Sequence, residues 1–316
     1  MTNSPAALFS GNPVLGGFYA DPELRFFQNR FWLYPTLSAP YEEETFFDAF
    51  SSPDLCRWEK HPRVLDGSGV PWARRAVWAP SPVERNGRFY LFFAANDIQS
   101  DRETGGIGVA AADKPEGPFC DLPGRPLIPA FHHGAQPIDP HVFADDDGSF
   151  YLFYGGWRHC NVARLGPDMR SFLPFESGEL FREITPEGYV EAPCMVKRGG
   201  MYYFMWSEGD WAGPEYRVAY GRSASPLGPF RRLGVILRQD SAVATGAGHH
   251  SVLRLPGSGR WVVAYHRRPL GDENPYHRVL CLDELRFDAQ GNILPVRLSN
   301  TGVEAFRTRA EEERKK

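Results

Sequence analysis

Apolar residues in this chain of 316 gather in short, nearly unbroken runs and show no helical spacing. Five stand out: Arg30-Phe-Trp-Leu-Tyr34, Arg88-Phe-Tyr-Leu-Phe-Phe93, Ser149-Phe-Tyr-Leu-Phe-Tyr154, Met201-Tyr-Tyr-Phe-Met-Trp206 and Arg260-Trp-Val-Val-Ala-Tyr265. Runs of this length without polar alternation predict strands covered on both faces. Each follows a turn dipeptide or tripeptide, Gln28-Asn29, Asn86-Gly87, Asp147-Gly148, Gly199-Gly200 and Gly257-Ser-Gly259, of the kind that tolerates positive φ and closes hairpins. Ahead of each turn lies a second recurring segment: Phe18-Tyr-Ala-Asp-Pro22, Val77-Trp-Ala-Pro80, Pro137-Ile-Asp-Pro140, Val190-Glu-Ala-Pro193 and Gly248-His-His-Ser251. Its Pro or Ser precedes the second residue of the following aromatic or apolar pair by ten or eleven residues, and successive copies are 58, 60, 53 and 58 residues apart. A four-stranded sheet cannot bury its own two faces and must stack on its neighbours, so a period near fifty predicts an all-β, five-bladed β-propeller. The repeat runs over roughly 12–303, which predicts one domain followed by a charged tail at 304–316, read as a frayed helix or disorder.

Composition narrows the functional classes. Gly (32) and Pro (28) are abundant, as many tight turns require. The formal charge is −4 with acids and bases interspersed, so no nucleic-acid or anionic-membrane footprint is present and a neutral partner is expected. Five scattered cysteines without Cys-x-x-Cys spacing predict reduced thiols, with neither a disulfide framework nor a zinc site. The first ten residues lack a basic start and a long apolar stretch, which favours a cytoplasmic enzyme acting on imported oligosaccharides unless a signal was removed earlier.

The candidate chemistry lies in the recurring opening segment. Asp21, Asp139 and Glu191 stand there in three copies, where the second has Ala79 and the fifth has histidines. An isolated Asp-Pro is an ordinary turn former. Three acids brought to one end of a shared axis are instead suited to glycoside hydrolysis, which needs one protonated carboxyl and one ionised carboxyl. A third acid would raise the donor's pKa by like-charge repulsion and orient it. The polar inserts Tyr41–Phe47 and Ala95–Thr104 are expected to rim the pocket, and Asp145-Asp-Asp-Gly148 reads as a hairpin tip because it lacks calcium-loop spacing.

In order and spacing the five segments, including Gly246-Ala-Gly-His-His-Ser251, resemble the blade motifs of glycoside hydrolase family 43, five-bladed enzymes of arabinan, arabinoxylan and xylan breakdown. The resemblance implies that Asp21 is the general base, Asp139 the pKa modulator and orienter, and Glu191 the general acid, with inversion at the anomeric centre. It implies a sugar-contacting arginine at Arg267, for which a surface ion pair is the alternative. His249 is implied near an axial calcium, although a lone imidazole is a poor ligand set for that ion and a buried supporting histidine competes; His250 fits either role. Trp78 is expected to pack on the sugar or, equally, in an inter-blade core. No cofactor is required for the chemistry. The implied partner is an arabinose- or xylose-containing glycan, cut by an exo-acting α-L-arabinofuranosidase. A β-xylosidase, a β-D-galactofuranosidase and a non-catalytic sugar-binding propeller are the alternatives, and the acid motifs of a retaining fructan hydrolase are not found.

Overall fold

A computed structural model describes residues 7–307. Five antiparallel sheets follow one another along the chain. The first is β1 (Tyr19–Phe27), β2 (Arg30–Leu37), β3 (Phe46–Ser52) and β4 (Glu59–Asp66); the second is β5 (Trp78–Arg85), β6 (Arg88–Ala95), β7 (Gly106–Ala112) and β8 (Cys120–Asp121). The third holds β9 (His141–Ala144), β10 (Phe150–Tyr154) and β11 (Asn161–Leu165), with both β12 (Phe172–Leu173) and β13 (Phe181–Glu183) against β11. The fourth is β14 (Glu191–Arg198), β15 (Met201–Glu208), β16 (Arg217–Ser223) and β17 (Arg231–Leu237). The fifth has three strands, β18 (Ala244–Arg254), β19 (Trp261–Pro269) and β20 (Val279–Leu285).

The first strands of the sheets form the hub. β1 touches β5 and β18, β9 touches β5 and β14, and β14 touches β18, which closes a ring of five blades. Serine hydroxyls tie that ring together: Leu24 N donates to Ser251 Oγ at 2.8 Å and Val142 N to Ser81 Oγ at 2.9 Å.

The second strands confirm why their apolar runs are unbroken. Consecutive side chains point to opposite faces of a strand, and here both faces meet another blade. Trp32 and Tyr34 pack with Phe89, Leu91 and Phe93 between blades one and two. Phe31 and Leu33 turn the other way, onto Val262, Ala264, Leu280 and Leu282 of blade five. Phe92 and Leu152 share the next gap, Phe153 and Phe204 the one after, and Met205 and Val263 the last. Each inter-blade gap is thus a separate apolar core, and each fully buried large side chain contributes about 1.5–3 kcal/mol.

Ring closure explains the short fifth blade. The chain near its start pairs with the chain near its end: Ser10 N donates to Val303 O and Gly11 N to Thr301 O, both at 2.9 Å. Asn12 is the latch. Its Nδ2 donates to Leu282 O and Ser299 O at 3.0 Å, and its Oδ1 accepts from Leu282 N at 2.9 Å. The body also extends past the expected boundary at 303, since Ala305 N donates to Leu8 O, Phe306 N donates to Asp54 O, and the Phe306 ring meets Phe31. The tail beyond 307 and the first six residues lie outside the described range. No described helix is long and apolar enough to cross a membrane, and all five cysteines are free.

The latch makes a direct prediction. Asn12→Ala strands the buried Leu282 N–H and takes a donor from Leu282 O, while Ser299 O keeps Arg267, so it should lower unfolding free energy by about 1–3 kcal/mol in denaturant titration. A loss below about 0.5 kcal/mol would show that closure rests on the apolar gap alone.

Candidate active site

Near the start of each inner strand, or in mid-strand at β18, one residue adopts left-handed backbone geometry: Asp21 (φ 50), Ala79 (φ 49), Asp139 (φ 53), Ala192 (φ 57) and His249 (φ 35). None is glycine. The pairing register breaks beside four of them, between Ala20 and Glu23, Trp78 and Ser81, Glu191 and Cys194, and Gly248 and His250. In the third blade the same break separates the Gln136–Gly156 bridge from β9. A bulge of this kind re-aims side chains at a strand end. Asp21 and Asp139 occupy the left-handed position itself, directly before proline. Glu191 stands one residue earlier, in register with Trp78, so the three acids do not hold one matching position as the repeat suggested.

The bulges gather the acids in one cavity of about 250 Å³, lined by Asp21, Asp139, Glu191, Trp78, Tyr216, His249 and Arg278, among others. Asp21 Oδ1 lies 3.2 Å from His249 Nδ1, 3.4 Å from His266 Nδ1 and 3.5 Å from Arg278 Nη1. Burial works against charge on Asp21, but these neighbours outweigh it and hold the carboxyl well below the usual range. Burial also depresses the pKa of His249 and takes His266 down to about 4. Both rings are therefore neutral at pH 7, and Arg278 supplies the lasting positive charge. His266 Nδ1 accepts from Asp21 N–H at 3.2 Å, which fixes the neutral ring's tautomer.

The other two acids move the opposite way. Burial, reinforced by the charge on Asp21, pushes Glu191 up to about 7, against the hydroxyl of Tyr216, which donates to Glu191 Oε1 at 2.8 Å. Burial together with Glu191 and Asp21 lifts Asp139 well above the aspartate range. Asp139 was expected to raise the donor's pKa by its own charge; its own carboxyl is raised as well, and the acid charge that acts most on Glu191 is that of Asp21. Asp139 Oδ2 accepts from Ala192 N at 3.0 Å, bracing the peptide next to Glu191.

Two expected substrate contacts are misplaced. Arg267 follows His266 in β19, so strand alternation turns it away from the cavity. Its guanidinium donates to Ser299 O at 2.9 Å and Asn300 Oδ1 at 2.7 Å. Arg278 holds the position anticipated for it, with Nε on Ser38 Oγ at 2.8 Å and the guanidinium 4.9 Å from the Trp211 ring. His250 is buried beside the bulge, away from the cavity, with neither ring nitrogen partnered among the described residues, and burial lowers its pKa to about 3. Trp78 does line the cavity, edge-on to Tyr41 with centroids 4.7 Å apart. Its indole N–H donates to Glu44. Glu44 is fully buried, and burial raises it to about 7. Sequence reasoning missed Glu44, Tyr216 and Arg278. Only Glu44 carried a signal, its place beside Thr45-Phe-Phe47 in an otherwise exposed acidic run.

The donors do not fit a protein-ligated calcium at His249. Calcium requires several oxygen ligands, whereas His249 directs Nδ1 at Asp21, and nearby Glu23 is engaged by Arg25 at 2.5 Å and His141 at 3.3 Å. Among the described residues no three His, Cys, Asp or Glu side chains are grouped to hold a metal. No step below runs through one.

A buried, ionised carboxylate sharing a pocket with a carboxyl that keeps its proton to about pH 7, on a propeller frame, is the acid–base pair a carbohydrate-cleaving hydrolase requires. The chain belongs to the glycosyl hydrolases family 43, whose model matches residues 10–293. It is 46% identical over 308 residues to a β-D-galactofuranosidase of Aspergillus niger, covering 93% of this chain and 87% of the relative. Xylosidase/arabinosidase 43A of Humicola insolens is 30% identical, with coverage of 89% and 98%. Among solved structures, the xylotriose complex of a Xanthomonas citri family member superposes with a TM-score of 0.74 at 28% identity, covering 92% and 93%. An α-L-arabinofuranosidase from Clostridium thermocellum gives 0.73 at 29%, covering 92% and 96%.

Tyr216 offers a test with a definite sign. Its hydroxyl favours the ionised form of Glu191, so Tyr216→Phe should raise that pKa by about one unit and move the alkaline limb of the kcat/KM profile to higher pH. An unmoved or lowered limb would contradict the assignment.

Proposed function

We propose that the protein is an inverting, exo-acting furanosidase that removes terminal β-D-galactofuranosyl residues from glycans. The observation carrying the mechanism is the divergence of Asp21 and Glu191: one carboxyl held ionised, the other held protonated to about pH 7, in one cavity. Asp21 takes a proton from a water molecule whose oxygen bonds to the anomeric carbon. The glycosidic C–O bond breaks, and Glu191 gives its proton to the leaving oxygen. Glu191 ends as the carboxylate and Asp21 as the acid, and exchange with solvent resets the pair. Asp139 braces the Ala192 peptide, and Arg278 keeps Asp21 charged. Trp78, set by Glu44, offers an aromatic face to the ring.

The substrate reading is supported by 46% identity to the Aspergillus niger galactofuranosidase, against 29–30% for relatives named for xylosidase and arabinosidase activities. The inserts carrying Tyr41 and Asp97 wall the cavity, which suits removal of a single end sugar. The second reading is the α-L-arabinofuranosidase expected from the sequence. It is favoured by the likeness to the Clostridium thermocellum enzyme and by chemistry, because α-L-arabinofuranose has the ring configuration of β-D-galactofuranose and lacks only its terminal carbon.

Asp21→Asn and Glu191→Ala should each lower kcat on nitrophenyl furanosides by at least about a thousandfold while the fold is retained. Proton NMR of the first-formed product should show an inverted anomer. In the wild type, kcat/KM should be lost as pH rises through about 7, where Glu191 gives up its proton. It should hold on the acid side until below the ordinary aspartate value of 3.8, because the Asp21 pKa is depressed. A retained anomer, or near-normal turnover in either variant, would remove the mechanism.

Among nitrophenyl glycosides, the β-D-galactofuranoside should be the best substrate by kcat/KM, at least about tenfold ahead of the α-L-arabinofuranoside, with the β-D-xylopyranoside behind both. First place for the xylopyranoside would contradict a furanosidase, and first place for the arabinofuranoside would select the second reading.

A further inference from the structure

One wall of the cavity has a polar device that the hydrolytic step does not use. Asn96 (φ 75) and Asp97 (φ 48) are consecutive residues with left-handed backbone, a conformation that Asn and Asp adopt more readily than other non-glycine residues and that the contacts around them fix here. Asn96 supplies those contacts. Its Oδ1 accepts from Arg74 N and Arg75 N, and its Nδ2 donates to Trp72 O and Thr104 O. The loop is thereby fixed with the Asp97 side chain in the cavity wall.

Asp97 Oδ1 is fully used, accepting from Gln99 Nε2 and Gln136 Nε2, each at 3.0 Å. Gln136, only 3% exposed, spends its amide group on Asp97 Oδ1 and on Ile98 O at 3.0 Å. What remains for a ligand is Asp97 Oδ2 and Gln136 Oε1, neither of which has a donor among the described residues. Two free acceptor oxygens on side chains that are hydrogen-bonded to each other, one carrying charge, match two hydroxyl donors on adjacent carbons. A Cβ at Gly156 would lie 3.1 Å from Gln136 Oε1, so glycine there leaves that oxygen uncovered.

The position selects which hydroxyls. Asp97 comes from blade two and Gln136 from blade three, whereas the proposed acid Glu191 comes from blade four. In a furanoside the exocyclic chain leaves C4, away from the glycosidic oxygen that the acid protonates. We propose that Asp97 and Gln136 form a diol-reading pair that binds the C5 and C6 hydroxyls of a terminal hexofuranose and makes this site discriminate galactofuranosides from arabinofuranosides. This rests on the furanosidase reading. Arabinofuranose ends at C5 and fills only half of the pair, and a xylopyranose has no exocyclic carbon to offer.

The test measures kcat/KM for the nitrophenyl β-D-galactofuranoside and α-L-arabinofuranoside in the wild type, Asp97→Asn and Asp97→Ala. Asparagine tolerates left-handed backbone and can keep the Oδ1 contacts while converting the free acceptor to a donor, so that variant should fold. A thermal midpoint within a few degrees of wild type checks this. The galactofuranoside-to-arabinofuranoside ratio should fall about ten- to a hundredfold in both variants. A ratio unchanged within about threefold, whether both rates drop together or neither drops, would overturn the pair's role and leave the furanosidase reading standing. A wild type inactive on both furanosides would overturn that reading and this inference together.

Discussion

Left-handed backbone is costly for any residue with a Cβ, about 1–3 kcal/mol each, and this chain adopts it once in, or just ahead of, every inner strand. Four bulges and one bridged break are the common device. They interrupt the hydrogen-bonded ladder where β1, β5, β14 and β18 reach the hub, and just ahead of β9, turning the adjacent side chains toward the axis. What tolerates the strain is the ring itself. Five apolar gaps and the Asn12 latch lock the blades, and backbone N–H groups at the strand heads find partners on neighbouring elements: Ala79 N donates to Thr36 Oγ1, Ala192 N to Asp139 Oδ2 and His249 N to Ser207 Oγ. Stability accumulated between blades thus offsets local strain in the pocket.

The same device sorts the acids electrically. Asp21 is turned into a nest of His249, His266 and Arg278 and stays ionised. Glu191, one residue off that register on another blade, is buried and lies within the field of Asp21, and these outweigh the tyrosine hydroxyl that favours its ionised form, so it keeps its proton. Two carboxyls of similar intrinsic acidity acquire opposite roles because their blades present different neighbours at equivalent points. Blade five has no acid there and contributes the imidazole and guanidinium groups that tune the others.

Much of this was legible in the sequence. The repeat announced five blades because each second strand must be apolar on both sides, and the acids stood out because they recur against that background. Three things were hidden, each for a physical reason. The one-residue offset of Glu191 can be read as Glu-Ala-Pro against Asp-Pro, but which residue takes the left-handed backbone, and so where the acid is aimed, depends on φ, which spacing does not reveal. The choice between Arg267 and Arg278 depends on strand parity: Arg267 is one residue past His266 and faces the closure segment, whereas Arg278 immediately precedes β20. Glu44, Tyr216, Asp97 and Asn12 act through contacts between segments distant in sequence, where periodicity carries no information.

Direct titration of the carboxyl groups tests this electrostatic division most plainly. With 13C-labelled aspartate and glutamate side chains, assigned through Glu191→Gln and Asp21→Asn, the Glu191 carboxyl signal should move from its protonated to its ionised position near pH 7, while Asp21 stays ionised throughout the neutral and mildly acidic range. Glu191 already ionised at pH 5, or Asp21 carrying the proton there, would contradict the division of roles on which the account rests.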